Sequence, residues 1–153
     1  MSAQLYLYLV GRRSKRRIFE TLIMSVLLYN TETWALSPQE SGFLSSNYVA
    51  MARYAMDNVR RVQKKQYKES SAAALQRFGL PPVQKIMALR KAIWIGHVIR
   101  SNDSRVKSFF EEGRIANRKW WQVCREELVK CGTDIDEVIA NANNPLEIRK
   151  LFS

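Results

Sequence analysis

The sequence predicts an all-α fold, a single helical domain of about six or seven helices. Apolar residues recur at three- and four-residue steps along most of the chain, which is the period of a helix face packed on a core. No segment alternates apolar and polar residues over the length of a useful strand. With 153 residues, 46% of them hydrophobic, the chain has enough apolar material for one folded core.

The first helix boundaries follow from caps and breakers. A helix is predicted over about residues 15–29, and Asn30 followed by Thr31 ends it. Ser37 followed by Pro38 is typical of an N-cap with proline at the first helical position. This signal predicts a long helix that begins at residue 38 or 46 and reaches about residue 69.

Later boundaries rest on the same kinds of signal. Gly79 is expected to end a short helix, and Pro82 to begin a helix that reaches residue 100. Gly113 is expected to end a helix that begins at residue 104, and Asn117 to cap the next one. Two short helices are predicted after residue 132, the last with Pro145 at its first position.

Positive charge is concentrated in one part of the chain. The net charge is +11; residues 1–100 hold 16 Lys and Arg against 5 Asp and Glu, whereas residues 101–153 hold 9 of each sign. A local surplus of this kind is typical of proteins that bind a polyanion, with RNA or DNA the usual one. An anionic lipid surface, an acidic protein and no specific partner remain alternatives. The predicted organisation is a basic arm at residues 1–17 and a helical domain at 18–153, basic over 18–100 and neutral over 101–153.

The predicted nucleic-acid contacts are cationic side chains that cluster along the basic part. Phosphates would supply the missing counter-charge, and the arginine fork matches them in shape. A solvated polar face is the alternative for the cluster at residues 60–68. The predicted contacts are Arg12, Arg13, Lys15, Arg16, Arg17, Arg53, Arg60, Arg61, Lys64, Lys65, Lys68, Arg90 and Lys91.

Several short segments occur in a recognisable order. Residues 27–34 read LLYNTETW and residues 94–100 read WIGHVIR. They resemble the segments LLYGxETW and RWxGHVxR, found downstream of the polymerase core in reverse transcriptases of non-LTR retrotransposons. Residues 19–23 are similar to the family's YKTLI, residues 75–82 to RLGLPPL, and residues 118–153 to an ending of the form RRWxxxVxxDLxxxG followed by WRxLV. The resemblance therefore covers nearly the whole chain.

The resemblance implies a helical thumb and C-terminal extension that lies against a template–primer duplex or the element's RNA. Phosphoryl transfer needs carboxylates that converge on two metal ions. The paired aspartates of the polymerase palm have no counterpart here, so we expect no enzymatic activity. Asn30 stands where the family usually has Gly, Ile93 where it has Arg, and residues 114–117 replace a Gly-Arg-Pro motif. These departures favour a fragment that kept its fold and changed its partner.

The leading interpretation is a non-catalytic RNA-binding or scaffolding subunit of a larger ribonucleoprotein, most concretely a mitochondrial ribosome. Its partners would be ribosomal RNA and neighbouring protein subunits. An accessory subunit of a protein-only organellar complex and a fragment of an active reverse transcriptase are the alternatives. The first 19 residues are rich in Arg and lack acidic residues, which suits an organelle-targeting segment or a retained basic arm. Cytoplasmic or nuclear localisation is the alternative to a mitochondrial one.

Other kinds of site have little support in the sequence. We expect no cofactor, metal, small-molecule substrate or transmembrane segment. The chain has only His97, Cys124 and Cys131 as soft ligands, fewer than a closed zinc site needs. His97 is expected to be a half-buried packing residue. Trp120 and Trp121 cannot both face inward on a helix, and Trp121 is the predicted partner contact.

Overall fold

The computed structural model describes residues 11–56 and 69–153. Within these two ranges every regular element is helical and no strand occurs, so the all-α prediction is confirmed. A π-helical turn, Phe19–Ile23, joins the first two α-helices, and a 3-10 turn, Thr31–Thr33, follows them. The α-helices are α1 (Arg12–Ile18), α2 (Met24–Leu27), α3 (Pro38–Met56), α4 (Ser71–Phe78), α5 (Val83–Arg100), α6 (Ser104–Ile115), α7 (Lys119–Lys130), α8 (Ile135–Ala140) and α9 (Pro145–Lys150).

The predicted break after the first helical segment is confirmed at Asn30. Its φ of 58° lies in the left-handed region, which Asn and Gly adopt more readily than other residues. The left-handed conformation of Asn30 therefore ends the first helical segment.

A capping box opens α3, as the Ser37-Pro38 signal predicts. The Ser37 backbone N–H donates to Glu40 Oε2 at 2.8 Å, and the Glu40 N–H donates to Ser37 Oγ at 3.3 Å. The bond from the Ser37 N–H holds the pKa of the Glu40 carboxyl below its ordinary value. Gly79, at a φ of 69°, ends α4 as expected.

Two predicted boundaries around α6 and α7 are wrong. Gly113 does not end α6, which continues to Ile115; a Cβ at Gly113 would lie 3.2 Å from Trp121 Nε1, so the glycine allows close packing. Asn117 does not cap α7; it adopts a φ of 47° in the preceding turn, and Arg118 occupies the cap position.

The chain divides into two compact units that alternate along the sequence. Unit 1 comprises Met1–Tyr29 and Gly42–Val83, and unit 2 comprises Asn30–Ser41 and Gln84–Ser153. This division by contacts differs from the division by charge at residue 100. No described helix is long and apolar enough to cross a lipid bilayer.

Unit 1 has an aromatic pair in its core. The rings of Phe19 and Tyr48 are both fully buried, with centroids 5.7 Å apart. Tyr48 Oη donates to the carbonyl of Pro81 at 3.1 Å, which satisfies the buried hydroxyl. Burial raises the pKa of Tyr48 to about 12.

Unit 2 has a continuous core built from α5 to α9. Gly96 allows the close approach of α5 to the C-terminal segment, since a Cβ there would lie 2.8 Å from Ile148 Cδ1. Arg100, near the end of α5, donates to the carbonyl of Ala142. The buried core residues are Ala88, Ala92, Ile95, Val98, Phe110, Trp121, Cys124, Leu128, Ile135, Val138, Ile148 and Phe152.

Candidate nucleic-acid interface

The strongest concentration of exposed positive charge in the described residues lies on α1. Arg12, Arg13 and Arg17 are all exposed, and Arg13 and Arg17 are one helical turn apart. The first turn of α1 contains no acidic residue. Cations at this end oppose the helix dipole and like charges at this spacing repel, so the arrangement is locally unfavourable. An external anion would relieve both costs.

The acidic side chains of unit 1 do not neutralise this face. Glu20 accepts from Arg16 Nε at 2.8 Å, and Glu69 forms an ion pair with Arg77. Glu20 and Glu69 are the only acidic residues of unit 1 within the described ranges. Of the predicted α1 cluster, Arg16 is therefore paired, Lys15 is half-buried, and the other three arginines make no ion pair within the described residues.

Two further predicted contacts are less available. Arg53 is half-buried and its guanidinium donates to the Glu69 carbonyl at 3.2 Å, so it holds the chain that enters α4. Arg90 is half-buried on α5. The predicted contacts Arg60, Arg61, Lys64, Lys65 and Lys68 lie outside the described residues.

The prediction that Lys91 contacts nucleic acid is wrong for this fold. Its side chain is 0% exposed, and its Nζ lies 2.7 Å from Glu127 Oε2 on α7. A buried ammonium needs a paired counter-charge, and Glu127 provides it from within unit 2. Lys91 is part of the core.

The prediction that Trp121 contacts a partner is also wrong, because Trp121 is the buried member of the pair, at 3% exposure. Trp120 is half-buried, and its Nε1–H donates to the Glu32 carbonyl at 2.8 Å. The two indoles meet edge to face with centroids 5.1 Å apart, and Phe110 packs on Trp121 at 4.7 Å. Edge-to-face contacts of this kind add stability beyond the area they bury.

This aromatic cluster lines a pocket in unit 2 that was not predicted from the sequence. Its volume is about 360 Å³ and its walls are almost entirely apolar. Val106, Phe109, Phe110 and Gly113 contribute one wall from α6 at three- and four-residue spacing. That spacing is visible in the sequence, and in the fold two of the four residues, Val106 and Phe109, remain exposed.

The described residues contain no cluster suited to metal binding. His97 is exposed rather than half-buried, with Nδ1 3.5 Å from an Arg100 nitrogen. Cys124 and Cys131 are free thiols. Burial raises the pKa of Cys124 to about 12, so its reactive thiolate form is suppressed.

Comparison with protein-family models, with curated proteins and with solved structures finds no match to this chain.

Proposed function

We propose that the chain is a non-catalytic RNA-binding and scaffolding subunit of a larger ribonucleoprotein. The observation that carries the proposal is the face of α1, where Arg12, Arg13 and Arg17 are exposed without an acidic partner in the described residues. The composition of unit 1 supports it, with 12 Lys and Arg against 3 Asp and Glu. Neutralisation of RNA phosphates by these cations is the proposed mechanism.

A mitochondrial ribosome is the assembly we propose, with ribosomal RNA on the basic face and neighbouring protein subunits on unit 2. The near balance of charge in unit 2, with 13 Lys and Arg against 11 Asp and Glu, suits contact with proteins better than contact with a polyanion. We further propose that the chain descends from the thumb region of a non-LTR retrotransposon reverse transcriptase. The ordered segments of resemblance support this origin.

The first test replaces the three exposed arginines of α1 with glutamine in one protein, Arg12→Gln, Arg13→Gln and Arg17→Gln. Binding of a mixed-sequence single-stranded RNA is measured over a series of salt concentrations. A plot of log K against log salt has a negative slope, and each lost phosphate contact reduces its magnitude by roughly 0.7. The magnitude should therefore fall by about 2, and the affinity by about tenfold or more.

A matched control removes three exposed cations from unit 2, as Arg125→Gln, Lys130→Gln and Arg149→Gln. Both triple variants have a net charge of +8 instead of +11. The control should keep the wild-type affinity and slope. Equal losses in the two variants would show that total charge, and not the α1 face, determines binding, and would contradict the proposal.

The assembly is tested by purifying the tagged chain from its host with and without ribonuclease. Ribosomal RNA and ribosomal proteins should accompany the wild-type chain and be depleted with the α1 variant. Association with a protein-only complex that resists ribonuclease would contradict the ribonucleoprotein and support an accessory subunit of such a complex.

A further inference from the structure

The pocket of unit 2 has the size and lining of a site for a flat aromatic group. A volume of about 360 Å³ is within the range of small-ligand sites. Trp94, Phe109 and Phe110 bring aromatic rings to its walls, with Trp120 and Trp121 beside them. Trp94 packs edge to face on Trp120 at 5.3 Å and lies 5.8 Å from Phe110. The rings therefore hold one another in place and give the cavity a fixed form.

One wall of the pocket holds an indole hydrogen-bond donor that the described residues leave unused. Trp121 Nε1–H donates to no acceptor within the described residues, whereas the neighbouring Trp120 Nε1–H is satisfied by Glu32. Gly113 leaves this donor uncovered, because a Cβ at Gly113 would lie only 3.2 Å from Trp121 Nε1. The site thus combines apolar walls with one oriented N–H group. Such a combination favours a ring that carries an acceptor atom.

The mouth of the pocket carries an exposed ring and positive charge. Phe109 is 66% exposed, and the guanidinium carbon of Arg118 lies 5.5 Å from its ring centroid. Arg118 is exposed and lines the pocket, and Glu32, the acidic residue of the lining, is half-buried. An anionic group attached to the bound ring would be attracted to the Arg118 guanidinium at this mouth.

From this geometry we infer that the pocket binds one unstacked nucleobase of a single-stranded RNA, with the adjoining phosphate near Arg118. The inference rests on the proposed RNA-binding function and adds a site to it. A nucleobase offers a flat face for aromatic stacking, ring acceptors for the Trp121 N–H, and a phosphate of the right sign for Arg118. An apolar side chain of a protein would fill the walls but would leave the donor and the Arg118 charge unused.

The experiment uses the indole N–H resonances of the four tryptophans in the full chain, with that of Trp121 assigned by the variant Trp121→Phe. Adenosine 5′-monophosphate should shift the Trp121 resonance, and ribose 5-phosphate, which lacks the base, should not. The oligoadenylate hexamer should bind more tightly than the mononucleotide and shift the same resonance.

Two variants and one control make the result specific. Gly113→Ala places a methyl group over the Trp121 N–H, and Phe109→Ala removes the exposed ring; each should weaken adenosine monophosphate binding about tenfold. Gly42→Ala is the matched control, since Gly42 lies within α3 and a Cβ there meets nothing within 4 Å. It should bind as the wild type does.

Wild-type binding by both Gly113→Ala and Phe109→Ala would overturn the inference, as would a Trp121 resonance that the mononucleotide leaves unmoved. So would equal shifts from ribose 5-phosphate, which would assign the site to phosphate alone. An apolar helical peptide that shifts the resonance when the nucleotide does not would assign the pocket to a protein. These outcomes differ from failure of the proposed function. That failure would appear as RNA binding by the wild type that does not depend on the arginines of α1.

Discussion

Units 1 and 2 contain nearly equal numbers of cationic residues but differ sharply in their acidic ones. Unit 1 has 12 Lys and Arg and 3 Asp and Glu, and unit 2 has 13 and 11. In unit 2 four of the acids pair within the unit, among them Glu127 with the buried Lys91 and Glu111 with Arg114. In unit 1 the two described acids are already paired and the arginines of α1 remain. The placement of acidic residues, more than the number of basic ones, distinguishes a binding face from a balanced surface.

The two units also differ in their chromophores. All six tyrosines lie in unit 1 and all four tryptophans lie in unit 2. Tryptophan fluorescence therefore reports on unit 2, and tyrosine absorbance above the background of the indoles reports on unit 1. The stabilities of the two units can therefore be compared in the intact chain, without separating the units.

The largest expected effect comes from breaking the internal ion pair of unit 2. Lys91→Met leaves the Glu127 carboxylate, which is only 13% exposed, without its partner. Loss of one member of a buried pair costs about 3–5 kcal/mol of unfolding free energy. Urea denaturation followed by tryptophan fluorescence measures it.

The double variant Lys91→Met with Glu127→Leu should recover most of this loss, because no buried charge is then left unpaired. The exposed pair of Lys150 and Glu147 is the control, and Lys150→Met should change stability by less than about 1 kcal/mol. Equal costs for Lys91→Met and Lys150→Met would mean that the buried pair contributes no more to the stability of unit 2 than an exposed pair does.

The next effect concerns Tyr48 in unit 1 and is seen in alkali. Burial raises the pKa of Tyr48 from 10.0 to about 12. Below pH 10 the hydroxyl is protonated in both the folded and unfolded states, so its contribution to the free energy of unfolding is fully present. Between pH 10 and 12 only the unfolded state loses the proton, and stability should fall by about 1.4 kcal/mol per pH unit, about 2–3 kcal/mol in all.

Denaturation of the wild type and of Tyr48→Phe across this pH range isolates the effect. The variant loses the hydrogen bond to Pro81, about 1 kcal/mol, but should lack the additional alkaline decline. Cys124, whose pKa burial also raises to about 12, is present in both proteins and cancels in their difference. Parallel stability curves for the two proteins would show that the hydroxyl is not buried.

The smallest expected effect is the loss of stability when a helix cap is removed in each unit. Ser70 Oγ accepts from the Ala73 N–H at 3.2 Å in unit 1, and Asp134 Oδ1 accepts from the Glu137 N–H at 2.8 Å in unit 2. Ser70→Ala and Asp134→Ala should each cost about 1 kcal/mol in denaturation experiments. Ser14→Ala, at an exposed position within α1, should change little. A cost confined to one unit would mean that the difference between the units extends beyond charge.

The parts of the fold that depend on adjacent residues were predictable. The start of α3 at Pro38 and the end of α4 at Gly79 depend on local hydrogen bonds and backbone conformation, and the residue types at these positions predict both. The environment of Lys91 was not predictable in this way. Its burial depends on Glu127, 36 residues away on another helix, and no local pattern distinguishes Lys91 from its neighbour Arg90.

The site was predictable to a similar extent. The basic cluster at residues 12–17 is a property of composition and is visible in the sequence. The choice between Trp120 and Trp121 was not, because helical spacing lets at most one of them face the core and does not say which. Packing against Gly113 and Phe110 decides it, and the same packing produces the pocket.

The π-helical turn at Phe19–Ile23 determines which side of the first helical segment its later residues occupy. A π turn includes one residue more than the regular helix needs, and each residue advances a helix by about 100°. Conversion of this turn to a regular α-helix with all its residues kept would rotate α1 relative to the buried Leu28 by roughly a quarter turn. The direction in which the arginines point is thus set by the conformation of this turn as well as by their identity. A substitution that regularises the turn could redirect the whole face without a single arginine being replaced.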